Sequence, residues 1–177
     1  MRVVRLSASE VLERLDELAE LMVDTVDSGA SIGFLAPLGH TEAAAWWKGR
    51  AAAVAAGALA TWAAQDGERV VGTVGLAFPD KPNSRHRAEL VKLMVHRDAR
   101  GRGLGRALLT TAEEAAAAAD VILLHLDTET DSPAERLYTS AGWTRAGVIP
   151  DYAADPAGVL RPTTLYFKRL GATAPTR

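Results

Sequence analysis

The glycine-rich stretch at residues 100–106 constrains the fold of this chain more than any other segment. It reads Arg-Gly-Arg-Gly-Leu-Gly-Arg, follows an apolar run (Leu90–Val95) and precedes an alanine-rich run (Ala107–Ala119). Glycine allows positive φ and lets a ligand approach the backbone closely. Free N–H groups at the start of a helix form an anion site that the helix dipole reinforces. The segment therefore predicts a strand, a turn and a helix that bind an anion such as a pyrophosphate.

The composition excludes several classes of function. The 177 residues are 48% hydrophobic and 24% charged, which is typical of one globular domain of this length. A net charge of −2 gives no general attraction to nucleic acid or to an anionic membrane, so neither is expected as a partner. There is no cysteine, and the four histidines are not spaced as ligands, so we expect no disulfide and no metal.

The distribution of apolar residues along the chain indicates the location and boundaries of the domain. No stretch is apolar enough to span a membrane, and Met1–Leu6 does not form a signal peptide. We expect one cytoplasmic domain over residues 1–170 and a frayed tail at 171–177. A homodimer is expected only because it is the commonest assembly.

The order of predicted elements indicates an α/β (α+β) domain around a mixed sheet of six to seven strands, flanked by about four helices. The first helix is capped by Ser7 or Ser9 and ends at Ser28-Gly29, before an irregular loop at 30–40. A late helix is capped by Ser132, with Glu135 completing a capping box. The other elements are strands at 3–6, 58–64, 70–78, 89–95, 121–126, 144–148 and 163–169, helices at 41–56 (capped by Thr41) and 107–119, and a loop at 149–162.

The spacing of the glycines decides between ligand-binding motifs. A P-loop would need G-x-x-x-x-G-K-[ST], which the chain lacks. The dinucleotide motif G-x-G-x-x-G fails too, because Arg106 and Leu108 stand where its last glycine would be. An RNA-binding Arg-Gly segment would need repeats and a basic composition, and this chain has neither. The pattern that remains is Arg100-x-x-Gly103-x-Gly105, between a strand and a helix.

This pattern resembles the acetyl-CoA loop of the GNAT family of N-acetyltransferases, [Arg/Gln]-x-x-Gly-x-[Gly/Ala]. The segment Ala134–Trp143 is similar to the family's A-x-x-L-Y-x-x-x-G-[Phe/Trp/Tyr] helix and turn, and the order of elements agrees over about residues 3–170. A narrower resemblance, to the branch that contains the tabtoxin-resistance acetyltransferases, rests on the segments 126–129, 132–135, 147–152 and 164–168.

The resemblance implies a GNAT fold, acetyl-CoA as co-substrate and transfer of its acetyl group to the primary amine of a small molecule. Two alternatives stay open. One is a peptide or protein N-acetyltransferase, and the other is a CoA-binding sensor or partner module without catalysis.

The resemblance also implies which residues contact the cofactor. Backbone amides of the loop would hold the CoA pyrophosphate, and backbone groups at the end of the preceding strand would contact the pantetheine arm. The side chains of Arg97, Arg102 and Arg106 would reach the 3′-phosphate or remain solvated charges. Many relatives carry Asn where this chain has Asp131. The expected cofactor contacts are Met94, Val95, His96, Arg100, Gly101, Arg102, Gly103, Leu104, Gly105, Arg106 and Ser132.

Tyr138 is the expected general acid. Phenol and thiol have reference pKa values within about two units, so a tyrosine suits protonation of the departing CoA thiolate. The alternative is that Tyr138 is an aromatic side chain packed in the core. With no cysteine and no G-x-S-x-G motif, we expect direct attack of the amine in a ternary complex. A sheet amide near Val95 would polarise the thioester carbonyl.

The amine also needs a base, because an ammonium group has no lone pair. Glu89 is the first candidate, on a strand face that it is expected to share with Leu93, and Asp127 at the end of the next strand is the second. An ordinary salt bridge of Glu89 with Lys92 or Arg87 is the alternative. His96 is a further candidate base, unless it is simply an exposed residue at the end of a strand.

Overall fold

Seven strands form one mixed sheet in residues 1–171, the part of the chain that this computed structural model describes. The strands are β1 (Arg2–Leu6), β2 (Leu59–Asp66), β3 (Arg69–Ala77), β4 (Arg87–Val95), β5 (Leu123–Glu129), β6 (Thr144–Ala154) and β7 (Leu160–Arg169). The helices are α1 (Ala8–Glu13), α2 (Leu15–Asp27), α3 (His40–Ala55), α4 (Leu104–Ala118) and α5 (Pro133–Ser140). The predicted mixed sheet of an α+β domain is confirmed. Residues 172–177 of the predicted frayed tail lie outside the described residues.

The sheet has the order β1-β2-β3-β4-β5-β7-β6. Only β4 and β5 run parallel among the described strands, and each other neighbouring pair is antiparallel. The two faces carry separate apolar clusters. On one face, Leu108 and Leu109 of α4 share a cluster with Leu90 and Leu124. On the other face, α1, α2 and α3 cover the sheet. We refer to these as the α4 face and the α1–α3 face.

The first helical region consists of two helices, not the one helix that the apolar spacing predicts. Ser7 caps α1 with a complete capping box: its Oγ accepts the Glu10 N–H at 3.2 Å, and its own N–H donates to the Glu10 carboxylate at 2.7 Å. The chain breaks at Arg14, whose guanidinium donates to the Glu68 carbonyl in the β2–β3 turn at 3.2 Å. Both helices pack on the same cluster, which is why the apolar spacing shows no interruption.

The predicted loop at 149–162 is wrong, because β6 and β7 continue through most of it and only residues 155–159 form the turn. Asp155 closes this turn, since its Oδ1 accepts two backbone N–H groups at 3.0 Å. Pro150 suggested a loop, but it lies in β6 at the edge of the sheet, where a proline removes no necessary ladder hydrogen bond.

Two predicted helix starts are also wrong. The third helix has Gly39 as its N-cap, not Thr41. The α4 helix begins at Leu104, three residues before the predicted start at Ala107, so the glycine-rich turn leads directly into it. The pattern of apolar residues could not show this, because glycines lower the helix propensity of the first turn.

Gly72 of β3 lies where a side chain would have no room. A Cβ there would be 2.9 Å from the Met94 carbonyl oxygen and 3.0 Å from Cδ1 of Leu108. We expect Gly72→Val to lower the free energy of unfolding by about 3 kcal/mol through overpacking. The control is Gly49→Val on α3, where nothing lies within 4 Å of an added Cβ. It should change the free energy of unfolding by less than about 0.5 kcal/mol. Urea unfolding measures both, and equal stability of Gly72→Val and the parent protein would contradict the packing.

Candidate active site

The strands β4 and β5 separate partway along their length. Their parallel pairing covers only residues 87–89 opposite 123–125. Beyond Glu89, β4 continues beside β3, whereas β5 continues beside β7. A gap therefore opens in the middle of the sheet, and backbone groups that face it have no strand partner.

A β-bulge in β4 lies beside this gap. Lys92 and Leu93 both lie opposite a single residue of β3, and Lys92 has a φ of +50°. Leu90, before the bulge, belongs to the α4 face, whereas Met94, after it, belongs to the α1–α3 face. The expectation that Glu89 and Leu93 share a face is therefore wrong. Instead, Lys92 lies on the α1–α3 face with Glu89.

The last residues of β4 differ in the direction of their backbone groups. The His96 N–H donates to the Val71 carbonyl at 2.9 Å, so β3 uses it. Backbone groups alternate along a strand, so those of Val95 point away from β3, and its carbonyl accepts Nε of Arg100 at 3.0 Å. Of the three residues expected to contact pantetheine, Val95 therefore directs its N–H toward the gap. The backbone groups of Met94, like those of His96, point toward β3 instead.

The glycine-rich turn presents a row of free amides. Gly101 and Gly103 have φ of +75° and +78°, and nothing lies within 4 Å of a Cβ added at either. Gly105 serves packing instead, because a Cβ there would be 3.3 Å from Leu137 Cδ2. Within residues 1–171, the backbone N–H groups of 101–106 donate to no protein acceptor. Free N–H groups before and in the first turn of a helix are an arrangement that suits an anion.

Two arginines fix this turn to α2. Arg97 donates to Asp24 from its backbone N–H at 3.0 Å and also from its guanidinium. Burial alone would raise the pKa of Asp24, but the hydrogen bonds from Arg97 outweigh it and the pKa lies below its usual range. Arg100 donates to Ser28 Oγ at 2.7 Å. Both side chains therefore position the loop, and an anion would meet its amides first.

The other two arginines lie closer to solvent. Arg102 is exposed, with Nη1 3.8 Å from Asp66 Oδ2. Arg106 is also exposed and donates to Ser140 Oγ at 2.5 Å. Neither exposed guanidinium has a carboxylate within 3.5 Å in the described residues, so both cations are available to a phosphate group.

His96 is buried, although an exposed position was one expectation for it. Its side chain is 9% exposed, and its Nε2 lies 3.0 Å from Arg69 Nη2 and 3.6 Å from Asp24 Oδ1. The imidazole belongs to the polar network that holds the glycine-rich turn. The sequence does not reveal this network, because Asp24 is 73 residues away from Arg97 along the chain and lies within an amphipathic helix.

Tyr138 lies on α5 with its ring in the cluster of the α4 face. The ring centroids of Trp143 and Tyr166 are 5.7 and 6.1 Å away. Among the described residues its hydroxyl makes no hydrogen bond. Burial raises the pKa of Tyr138, and the negative charge of Asp127 raises it further. The phenol therefore keeps its proton.

Charged side chains collect beside the gap on the α1–α3 face. Glu89 and His125 pair across β4 and β5, and the exposed Asp127 follows on the same face of β5. Arg87 donates to His125 Nε2 at 2.8 Å. Burial lowers the pKa of His125; Arg87 lowers it too, while Glu89 and Asp127 oppose the change. Within residues 1–171, Glu89 forms no ion pair shorter than 4.0 Å with Arg87 or Lys92.

From the sequence, the one role expected for Lys92 is an ion pair with Glu89. Its Nζ donates to the Ile32 carbonyl at 2.7 Å and lies 5.2 Å from the Trp46 ring centroid and 5.8 Å from that of Phe34. Burial lowers the pKa of Lys92, and Arg50 lowers it further. A lysine inside the apolar run of β4 was the available signal, but the bulge that turns it toward the cleft depends on pairing with β3.

The start of α5 differs in detail from the prediction. Ser132 is the N-cap and Pro133 follows it, as expected, but the Ser132 side chain makes no capping hydrogen bond. Glu135 accepts the Asp131 N–H at 2.7 Å, so the predicted capping box is wrong. The Ser132 hydroxyl lies 3.4 Å from Thr128 Oγ1, and the residue is only half-buried.

The described residues contain no group of three or more His, Asp or Glu side chains that could hold a metal ion. Among these same residues, no helix combines the length and apolar character that crossing a membrane requires.

Comparison with known proteins gives both a family match and a partial relative. Residues 23–143 match the model of the acetyltransferase (GNAT) family. N-acetyltransferase 8B of Rattus norvegicus is 35% identical over 88 residues, which make up 49% of this chain and 40% of the rat protein. The chain thus matches less than half of the length of that curated relative.

Solved structures share the fold over the whole domain. Ribosomal-protein-alanine N-acetyltransferase from Brucella melitensis aligns with a TM-score of 0.76 at 21% identity, covering 96% of this chain and 100% of that one. The protein yncA from Salmonella typhimurium, whose structure contains its cofactor acetyl-CoA, aligns with a TM-score of 0.77 at 19% identity, covering 100% of this chain and 98% of that one.

The family match includes both segments on which the sequence resemblance was based, the glycine-rich turn and the α5 helix with its tyrosine. It also spans the separated strands β4 and β5 and more than half of the chain. The chain is therefore a member of the GNAT family of acetyltransferases.

Proposed function

We propose that this protein transfers the acetyl group of acetyl-CoA to the primary amine of a small molecule, by direct attack in a ternary complex. The observation that carries the proposal is the row of six free amides at residues 101–106, which leads to a gap in the sheet beside Tyr138 and two carboxylates. An anion site alone would suit many ligands. The adjoining gap suits a ligand that continues from a pyrophosphate into a long, thin arm.

The residues present fit the donor. Amides 101–106 would hold the pyrophosphate, and Gly101 and Gly103 leave open space where a side chain would block it. The Val95 N–H would donate to the thioester carbonyl oxygen, and Ser132 would contact the arm from the opposite side of the gap. Acetyl-CoA, when bound, supplies the acetyl group as a thioester.

Tyr138 and a carboxylate would move the two protons of the reaction. Glu89 accepts a proton from the ammonium group, directly or through water, and Asp127 is the second candidate for this role. The amine nitrogen then bonds to the thioester carbon, and the carbon–sulfur bond breaks. Tyr138 donates its proton to the departing sulfur, because burial and Asp127 keep the phenol protonated. The second proton leaves the nitrogen as the amide forms and returns, directly or through water, to the phenolate.

The acceptor side of the site favours a small amine over an extended peptide. Two hydrogen bonds hold the segment at 31–38. The Ile32 carbonyl accepts one from Lys92, and the Ala36 N–H donates the other to the Pro156 carbonyl at 2.8 Å. It therefore joins β4 to the turn between β6 and β7 and limits the room for a long acceptor.

Calorimetric titration with CoA, followed by a thiol-release assay on chemically diverse amines, tests the proposal. We expect CoA to bind and at least one class of small amine to be acetylated. Binding without turnover on any amine would indicate the sensor instead, acetylation of peptides alone would indicate a peptide acetyltransferase, and absence of CoA binding would refute the proposed donor.

The role of Glu89 can be separated from a structural one by its pH dependence. We expect Glu89→Gln to lower kcat/KM about 100-fold near neutral pH, because a positioned base contributes about that much. The deficit should shrink as pH rises, since more of the amine is then neutral and needs no base. Asp127→Asn should have the smaller effect. If Glu89→Gln retains the parent rate at all pH values while Asp127→Asn loses it, Asp127 is the base.

A further inference from the structure

Two cations lie on the acceptor side of the gap around one indole ring. Nζ of Lys92 is 5.2 Å and the guanidinium carbon of Arg50 is 4.7 Å from the Trp46 ring centroid. Lys92 also lies 5.8 Å from the ring centroid of Phe34 and is held by the Ile32 carbonyl at 2.7 Å. A half-buried ammonium group usually has a carboxylate partner. Among residues 1–171, no carboxylate lies within 4.0 Å of Lys92.

Carboxylates are nevertheless close by. The charges of Asp127 and Glu89 are near enough to act on the pKa of Lys92, and Glu89 is only three residues away on the same face of β4. The bulge and the hydrogen bond to Ile32 hold the ammonium group toward the aromatic rings and away from Glu89. The cleft therefore presents a positive end and a negative end that do not neutralise each other.

We infer that the amine acceptor also carries a carboxylate, as an amino acid or a close analogue does. Lys92 and Arg50 bind its carboxylate, and Glu89 and Asp127 face its amino group. The Phe34 and Trp46 rings supply an apolar wall beside the two charged ends. The inference rests on the proposed function and specifies the substrate class of that same site.

Charge complementarity favours this class of acceptor over two others. A simple alkylamine would leave the half-buried Lys92 without an anionic partner, which is unfavourable. A dianionic acceptor would be repelled by the two carboxylates near Lys92. An acceptor with one carboxylate and one ammonium group can place each of its charges beside the end of opposite sign.

Matched pairs of amino acids and their amides test the inference, because each pair differs only in the carboxylate. For the parent protein, we expect kcat/KM in the thiol-release assay to be about tenfold or more higher for the acid than for the amide. In Lys92→Met this ratio should fall close to one, because the acid loses a partner for its carboxylate and the amide has none to lose. Equal loss on acid and amide would overturn the inference and make Lys92 a base or a structural residue.

Two further variants keep the test decisive if Lys92→Met folds poorly. Arg50→Met removes the second cation from an exposed position on α3, and we expect the acid-to-amide ratio to fall in the same direction. Lys48→Met, exposed on the same helix, is the matched control and should keep the parent ratio. An unchanged ratio in Arg50→Met and Lys92→Met together would overturn the inference.

Calorimetric binding of the same pairs to the CoA-saturated protein separates this inference from the proposed function. Acetylation without preference for the acid would overturn the inference and leave the proposed function intact. Preferential binding of the acid without any acetylated product would support carboxylate recognition and refute the proposed function. Equal binding of acid and amide would overturn the inference whatever the activity.

Discussion

Replacing Tyr138 by phenylalanine should lower kcat for amine acetylation about 100- to 1,000-fold while changing the Kd for acetyl-CoA less than about twofold. The variant keeps the ring that packs near Trp143 and Tyr166 and removes only the hydroxyl. That hydroxyl makes no hydrogen bond within the described residues, so stability should change little. The rate should fall because the departing thiolate then has no positioned proton donor.

The direction of the pKa shift supports this role. Burial and the charge of Asp127 place the pKa of Tyr138 above the ordinary value of 10.0. The proton-bearing form therefore persists at neutral pH and through the range in which an ordinary tyrosine begins to ionise. We expect no loss of rate from ionisation of this phenol as pH rises to that ordinary value.

Tyr166→Phe is the matched control for Tyr138→Phe. Tyr166 lies in the same cluster, but its hydroxyl donates to Glu135 Oε1 at 3.1 Å. Losing that bond should lower the free energy of unfolding by about 1 kcal/mol and leave kcat nearly unchanged. Steady-state kinetics, calorimetry and urea unfolding on both variants separate the two roles. Equal losses of kcat and acetyl-CoA affinity in Tyr138→Phe would show that Tyr138 is structural.

Substitution of Gly103 by valine should raise the KM for acetyl-CoA about 100-fold or more. Gly103 has a φ of +78° and is the N-cap of α4, so a β-branched residue forces the turn to change. The free amides of residues 101–106 would then lose their present arrangement. Losing two charge-assisted hydrogen bonds to a phosphate group accounts for an effect of this size.

Gly57→Val controls for backbone strain in the Gly103 experiment. Gly57 has a φ of +72° directly after α3, and like Gly103 it has nothing within 4 Å of an added Cβ. Both variants should lose about 1–2 kcal/mol of stability, but only Gly103→Val should lose affinity for CoA. Calorimetric titration with CoA and thermal unfolding measure the two quantities. If both variants bind CoA as the parent protein does, the amides of the turn do not hold the donor.

Local sequence patterns predicted the parts of the site that lie within one continuous segment. The glycine-rich turn and the α5 tyrosine could be predicted because each depends on neighbours a few residues away. The fold class followed from the order of strands and helices. The same reasoning located the start of α1 at one of two serines, because a capping box is a local device.

Features that depend on distant pairing could not be predicted. The bulge at Lys92 exists only because β4 has one more residue than β3 over the paired segment, and that register is set by tertiary contacts. The same holds for Asp24, which accepts hydrogen bonds from Arg97 across 73 residues. The break at Arg14 was missed for another reason, since both helices share one apolar cluster and keep its spacing.

Transfer of isotopically labelled acetyl from acetyl-CoA to an amino acid, followed by mass spectrometry of the small molecules, tests the central claim most directly. We predict an N-acetylated product that carries the label, with one free CoA released for each molecule formed. At an acetyl-CoA concentration below the KM, both should fall about 100-fold in Gly103→Val. Release of CoA without a labelled acetylated amine, or product formation that is unaffected by Gly103→Val, would contradict the account.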